Sequence, residues 1–404
     1  MSSQSGPTSP SERIVGLDAL RGFALLGILV VNIWVFAMPE LTLSNPTVYG
    51  AFTGENYWAW FVGHVFAQQK FLTLFTILFG AGVVLFTRNV EDKGLSVLQL
   101  YFRRSGWLVL FGLAHAYLLW YGDILVTYGL CAFGVVFLRD HEARTLLLFG
   151  LSLVAVPSLL EVVSGLTMDP AVIASTWQPP EPMLQTEVET YRSGWVDQMN
   201  HRVSASFQRQ TTGFLGYAVW RVGGTMLIGM ALFKWGVLTN DRSPQFYRRL
   251  IGIGSVSGLA VILTGVWYIQ ANDWGTSAAL FWRQFNYWGS FPLAGAYIGV
   301  VMAYCRWRPG GIVTRALAAV GRTAFSNYIL QTVLATSIFY GHGLGLFGHL
   351  TRVELFGVVV AIWAVQIVLS LLWLRWFRFG PLEWLWRVLT YETRQPIRAS
   401  KTER

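Results

Sequence analysis

Charge is scarce in this chain. Only 13% of its 404 residues are Asp, Glu, Lys or Arg, about half the share of an ordinary soluble domain. Hydrophobic residues make up 54% and aromatics 15%. That balance excludes a soluble enzyme, a disordered chain and a nucleic-acid-binding domain. Cysteine is almost missing: Cys131 and Cys305 each lie inside an apolar run. A disulfide framework and a Cys-based metal site are therefore not expected, and no metal is expected. There is no GxxxxGK[ST] phosphate loop and no HExxH zinc motif, which argues against a built-in ATPase and an intramembrane metalloprotease. A Ser or Cys nucleophile elbow is absent too. The opening residues MSSQSGPTSPSE lack the basic stretch of a signal peptide, so the apolar run from Val15 reads as a retained first helix.

What the chain has in abundance is apolar length. Ten spans of ~20 residues fit within its hydrophobic content. They run near 16–37, 66–87, 105–121, 124–138, 146–167, 214–235, 250–270, 286–304, 319–339 and 355–374. Unbroken runs of this length favour helices over a barrel. The expected fold is all-α, a polytopic transmembrane helical bundle of about ten spans. The net charge of +9 needs no nucleic acid, because basic residues in such a protein record orientation. With the N-terminus inside, 23 of the 30 basic residues fall in inside segments and seven in outside ones. Both termini are therefore expected in the cytoplasm.

The chain divides into a polar N-terminus (1–14), N-terminal spans (15–140), a fifth span with a long outside loop (141–213), C-terminal spans (214–378) and an amphipathic cytoplasmic tail (379–404). Residues 38–65 read as a loop plus an interfacial helix carrying Tyr57, Trp58 and Trp60. The stretch 168–213, with Pro170, Pro179 and Pro180, reads as a lid or acceptor-binding cap, or as a passive cover. No internal repeat is visible, which weakens a transporter built from inverted halves.

Ionisable residues inside spans are costly and so are functional candidates. Asp18 and Arg21 are three apart on helix one and can pair. Asn32 returns to within about 20° of Arg21, so the three share a stripe roughly 20 Å long. The other reading of this stripe is an ion pair that pins the helix end. His115 sits in mid-span, too deep to snorkel, with Asp123 at a tight hairpin tip and Tyr128 beyond it. It suits a general base, a proton relay or a bridge between helices. The other five histidines read as surface groups. Lys70, at the outer end of the second span, suits a substrate carboxylate or phosphate, or snorkels to the surface. Arg322 lies on the inner side. Asn327 and Gln331, four apart, face one neighbour as substrate contacts or as polar glue.

Five motifs in order carry a resemblance: LDALRGFALLGILVVNI at 17–33, KFLTLFTILFGAG at 70–82, GLAHAYLLWYGDILVTYGL at 112–130, GRTAFSNYILQT at 321–332 and FGPLEWLWRVLTY at 379–391. On these the chain is identified as a member of the YeiB family of bacterial inner-membrane proteins. That family is similar to transmembrane acyltransferases, the acyltransferase-3 proteins and lysosomal glucosaminide N-acetyltransferase. The resemblance implies a multi-pass protein of the bacterial inner membrane that moves an acyl group from cytoplasmic acyl-CoA to a small-molecule or glycan acceptor in the envelope. A homodimer is among the assemblies it admits. Acyltransferase-3 proteins place a catalytic histidine eleven residues after the arginine, where this chain has Asn32. On this reading His115 supplies the base, oriented by Asp123 or Asn327. Asp18, Arg21 and Arg322 form the donor site, the arginines gripping phosphates, and Asn32 or Gln331 donates to the oxyanion. Lys70, Tyr128, Asn327 and Gln331 contact substrate. Two other readings stand beside it: a small-metabolite transporter with a proton-coupled path through His115, Asp123 and Lys70, and a scaffold without turnover.

Overall fold

The computed structural model describes residues 14–398. The N-terminal segment 1–14, save Ile14, and the last six residues of the expected tail lie outside the described residues. Sixteen α-helices and no β-strand occur among those described. In a bilayer this is the expected outcome, because a helix satisfies its own backbone hydrogen bonds. Seven helical stretches are long and apolar enough to cross a membrane: Val15–Ala37, Gly54–Glu91, Ala143–Thr167, Met199–Lys234, Pro244–Ala271, Ala279–Trp307 and Arg352–Trp376.

The helices are α1 (Val15–Ala37), α2 (Gly54–Phe66), α3 (Lys70–Glu91), α4 (Val97–Leu118), α5 (Leu125–Val135), α6 (Ala143–Thr167), α7 (Pro170–Trp177) and α8 (Glu181–Arg192). They continue with α9 (Met199–Gln210), α10 (Val219–Lys234), α11 (Pro244–Ala271), α12 (Ala279–Trp307), α13 (Ile312–Arg322), α14 (Ala324–Phe339), α15 (Arg352–Trp376) and α16 (Pro381–Tyr391). Three of the ten expected spans are helical but shorter or more polar than a clear crossing. Arg103 and Arg104 interrupt the apolar run of α4, α5 has only 11 residues, and the segment 319–339 breaks at Thr323. The Thr323 hydroxyl donates to the carbonyl of Ala319 at 3.0 Å, a side-chain bond that competes with helix continuation.

The first helix lies at the centre of the bundle, buried along most of its length. It meets α13 backbone to backbone. A Cβ on Gly22 would overlap the Leu317 carbonyl, and one on Gly321 would overlap the Asp18 carbonyl. Small residues allow this approach, and close packing drives helix association where lipid removes the hydrophobic effect between helices. Gly80 and Gly229 do the same for α3 and α10.

At the other end of α1, helices α7 to α9 form a tethered cap over the bundle. Trp177 Nε1 donates to the Trp274 carbonyl at 2.7 Å, Arg192 Nε to Phe347 O at 2.8 Å, and Arg202 Nε to Tyr117 O at 3.0 Å. Inside the cap Arg209 pairs with Glu40, and the Glu40 amide donates to Glu187 Oε1 at 2.9 Å. Helix α16 closes the opposite end. Glu383 accepts from the Phe325 and Ser326 amides at 2.6 and 3.2 Å, satisfying the first turn of α14 from outside that helix.

Two measurements check this architecture. Gly321→Val should push α13 off α1 and lower stability by on the order of 2 kcal/mol. Gly106→Ala, where a Cβ meets nothing within 4 Å, should hold or gain about 0.5–1 kcal/mol. Equal melting temperatures for the two variants in detergent would contradict the backbone contact. The second concerns the cap. Burial pushes the Glu187 carboxyl up from 4.5 to about 7, the Glu40 carboxylate acting in the same direction and the Glu40 amide against it. The folded protein then holds a proton that the unfolded chain releases, so stability should fall as pH rises from about 4.5 to about 7. Glu187→Gln should flatten that part of the melting-temperature profile, and an unchanged slope would contradict it.

Candidate functional site

The α16 end of the bundle contains a cavity of about 310 Å³. Its walls come from α1, α3, α4, α5, α13, α14 and α16. At the rim stand Arg21, Lys93, Arg104, Arg322, Arg378 and Arg387, against only two acids, Asp18 and Glu383. The rim therefore carries a marked positive excess. Arg21 Nη1 pairs with Asp18 Oδ1 at 2.8 Å, as one helical turn allows. Arg104 lies flat on Trp386, 3.7 Å from the ring centroid, which keeps the guanidinium in place. Arg322 Nη2 donates to the Arg378 carbonyl at 3.2 Å.

Deeper in, the cavity becomes apolar and aromatic, between Phe75, Phe79, Leu108, Leu125, Tyr128 and Tyr328. The Tyr128 hydroxyl meets Thr76 Oγ1 at 2.5 Å. Tyr328 accepts from the Ile124 amide at 3.3 Å, and its ring centroid stands 5.1 Å from that of His115. One tyrosine ring thus separates the cavity from the histidine.

His115 is the middle member of a three-part hydrogen-bonded chain, Asp123–His115–Thr332. Nδ1 lies 2.8 Å from Asp123 Oδ1, and the two side chains are only 1% and 2% exposed. Nε2 lies 2.9 Å from Thr332 Oγ1, and Asp123 Oδ2 accepts from the Val126 amide at 2.8 Å. In the tautomer with its hydrogen on Nδ1, the imidazole donates to Asp123 Oδ1 and Nε2 accepts from the Thr332 hydroxyl. This carboxylate–imidazole–hydroxyl order is the geometry that general-base chemistry uses.

The structure thus groups Asp18, Arg21, Arg322 and Tyr128 on one cavity, with His115 and Asp123 behind its wall. The other candidates lie elsewhere. Asn327 Nδ2 donates to Ser370 Oγ at 2.8 Å, and Gln331 Nε2 to Gln366 Oε1 at 3.0 Å. Both side chains therefore join α14 to α15, and Asn327 does not orient His115. Gln331 also reaches the Leu25 carbonyl at 3.3 Å, so its amide hydrogens are engaged. Asn32 is half-buried on the Arg21 side of α1, outside the residues that line the cavity. Lys70 does not snorkel; it is fully buried. His64 is not a surface group either, since it is buried and stacked between Trp60 and Trp282 at 4.9 and 5.0 Å. Sequence reasoning missed Thr332, Arg104 and Glu383, whose partners are remote in the chain. The Trp384–Trp386 repeat in the tail was the one available signal that α16 packs inward.

Comparison with known proteins agrees with the motifs. The family model described as "Protein of unknown function (DUF418)" matches residues 232–393. "Uncharacterized protein YeiB" of Escherichia coli (strain K12) is 36% identical, covering 97% of this chain and 100% of its own length. "Uncharacterized protein YxaH" of Bacillus subtilis (strain 168) is 33% identical over 98% of each chain. These names carry no activity. Identity at this level over almost the whole length places the chain in the YeiB family of bacterial multi-pass membrane proteins.

Proposed function

We propose that the protein is a membrane-embedded acyltransferase that takes its acyl group from acyl-CoA at the α16 end of the bundle. What carries this reading is the inner cavity, a basic rim leading into an aromatic throat that ends one ring away from the Asp123–His115–Thr332 relay. A donor with anionic phosphates at one end and an uncharged thioester arm at the other has the same polarity. Arg21, Arg104 and Arg322 hold phosphate oxygens by charge-assisted hydrogen bonds, while Asp18 keeps Arg21 oriented. A cavity of about 310 Å³ takes the extended arm, with the nucleotide remaining at the rim.

In the transfer step the acceptor hydroxyl or amine attacks the thioester carbonyl. Its proton passes to Thr332 Oγ as the Thr332 proton moves to His115 Nε2. The C–S bond breaks, and the departing thiolate takes that proton back through the same relay. Asp123 stabilises the imidazolium in between. Tyr328 must turn aside for the thioester to reach Thr332. The acceptor is a small molecule or glycan that enters from the capped end. A transporter reading draws on His115, Asp123 and the buried Lys70 at the other end of α3. Vesicle uptake that needs a pH gradient and no acyl donor would replace the enzyme with it.

The test is thermal stabilisation of the detergent-purified protein by a panel of acyl-CoA thioesters, wild type beside Arg21→Ala. We expect saturable stabilisation by at least one thioester, lost in the variant and retained in His115→Gln. No shift at millimolar donor in folded wild-type protein would overturn the donor site.

A further inference from the structure

Outside the lining of the inner cavity, two cations lie inside the bundle with no acid beside them. Lys70, the first residue of α3, is fully buried. Its Nζ donates to the His64 carbonyl at 2.7 Å and to Asn286 Oδ1. Arg221, on the first turn of α10, is 4% exposed. Its Nη2 donates to Thr73 Oγ1 at 3.1 Å and to Ser290 Oγ at 3.3 Å. The Tyr287 ring lies 4.0 Å from the guanidinium carbon. Arg221 is near enough to act electrostatically on Lys70. Among the described residues neither cation forms an ion pair.

One atom shows that the arrangement is incomplete. Arg221 Nη1 is buried and has no hydrogen-bond partner. Two like charges taken out of water repel and lose their hydration, and a buried guanidinium N–H without an acceptor adds to that cost. Lys70 and Thr73 are three apart on α3, and Asn286 and Ser290 four apart on α12, so helical spacing turns each pair toward α10. Three helices thus surround the cations with neutral polar groups and leave the negative charge to come from elsewhere. None of these residues lines the inner cavity.

We propose that Lys70, Arg221 and the Thr73 hydroxyl form a binding site for a compact oxyanion, a carboxylate or phosphoryl group, at the end of the bundle remote from α16. An oxyanion there accepts from Arg221 Nη1 and from the Lys70 ammonium at once, and it neutralises the repulsion between them. The oxyanion belongs either to a free small acid or to a lipid headgroup. The site does not depend on the acyl-transfer reading, because it needs neither the cavity nor His115.

Thermal melts of the full-length, detergent-purified protein test it. The probes are sodium phosphate, sodium acetate and phosphatidylglycerol in mixed micelles, each against sodium chloride or neutral lipid at matched concentration. Wild type should show a saturable rise in melting temperature with at least one probe. Lys70→Met should lose that rise, and Arg221→Lys, which keeps the charge but not the fork, should weaken it by at least about tenfold. A rise with phosphatidylglycerol alone assigns the oxyanion to a headgroup; a rise with phosphate or acetate assigns it to a free acid. The site is overturned if no probe shifts wild type, or if folded Lys70→Met responds like wild type. Should Lys70→Met not fold, an unchanged half-saturating concentration in Arg221→Lys overturns it equally.

Discussion

The contact between α1 and α13 at Gly22 and Gly321 sets the position of the charged groups that α1 and α13 bring to the α16 end of the bundle. Because neither glycine carries a Cβ, the two backbones touch, and Asp18, Arg21 and Arg322 come onto one wall. At Thr323 the backbone leaves helical dihedrals and α14 starts afresh. Glu383 satisfies the amides of that start and so anchors α16 beneath it. Helix α16 in turn brings Trp386 under Arg104. These contacts place three of the rim cations, Arg21 and Arg322 through the glycine contact and Arg104 through Trp386.

Buried polarity in this protein is of two kinds, and the difference decides how each cluster is read. Thr323, Asn327, Gln331, Gln366 and Ser370 satisfy one another across α14 and α15. Such a closed network holds helices together and needs no ligand. Lys70 and Arg221 are the opposite case, since their partners are neutral and one guanidinium nitrogen has none. The Asp123–His115–Thr332 relay lies between the two: complete in its hydrogen bonds, yet composed of groups that can pass a proton along them.

Much of the fold could be read from the chain. Long apolar runs must become helices in a bilayer, and all ten expected segments are helical. The Asp18–Arg21 pair was legible because its spacing is one turn, and His115 with Asp123 because a tight hairpin joins them. Lys70 was misjudged in its snorkelling alternative and His64 as a surface group, because a residue near a helix end looks exposed until another helix covers it. Thr332, 217 residues from His115, gave no signal at all.

The division has a physical cause. Span length, helical class and the one-turn pairs follow from backbone hydrogen bonding and the 3.6-residue period, which act over a few residues and can be read from the sequence by itself. Which faces meet is settled by close packing among helices far apart in the chain, through glycines whose neighbours no local pattern reveals. Only the tertiary structure could therefore decide that the arginines share one cavity, that Tyr328 stands between it and His115, and that Lys70 and Arg221 are buried without an acid.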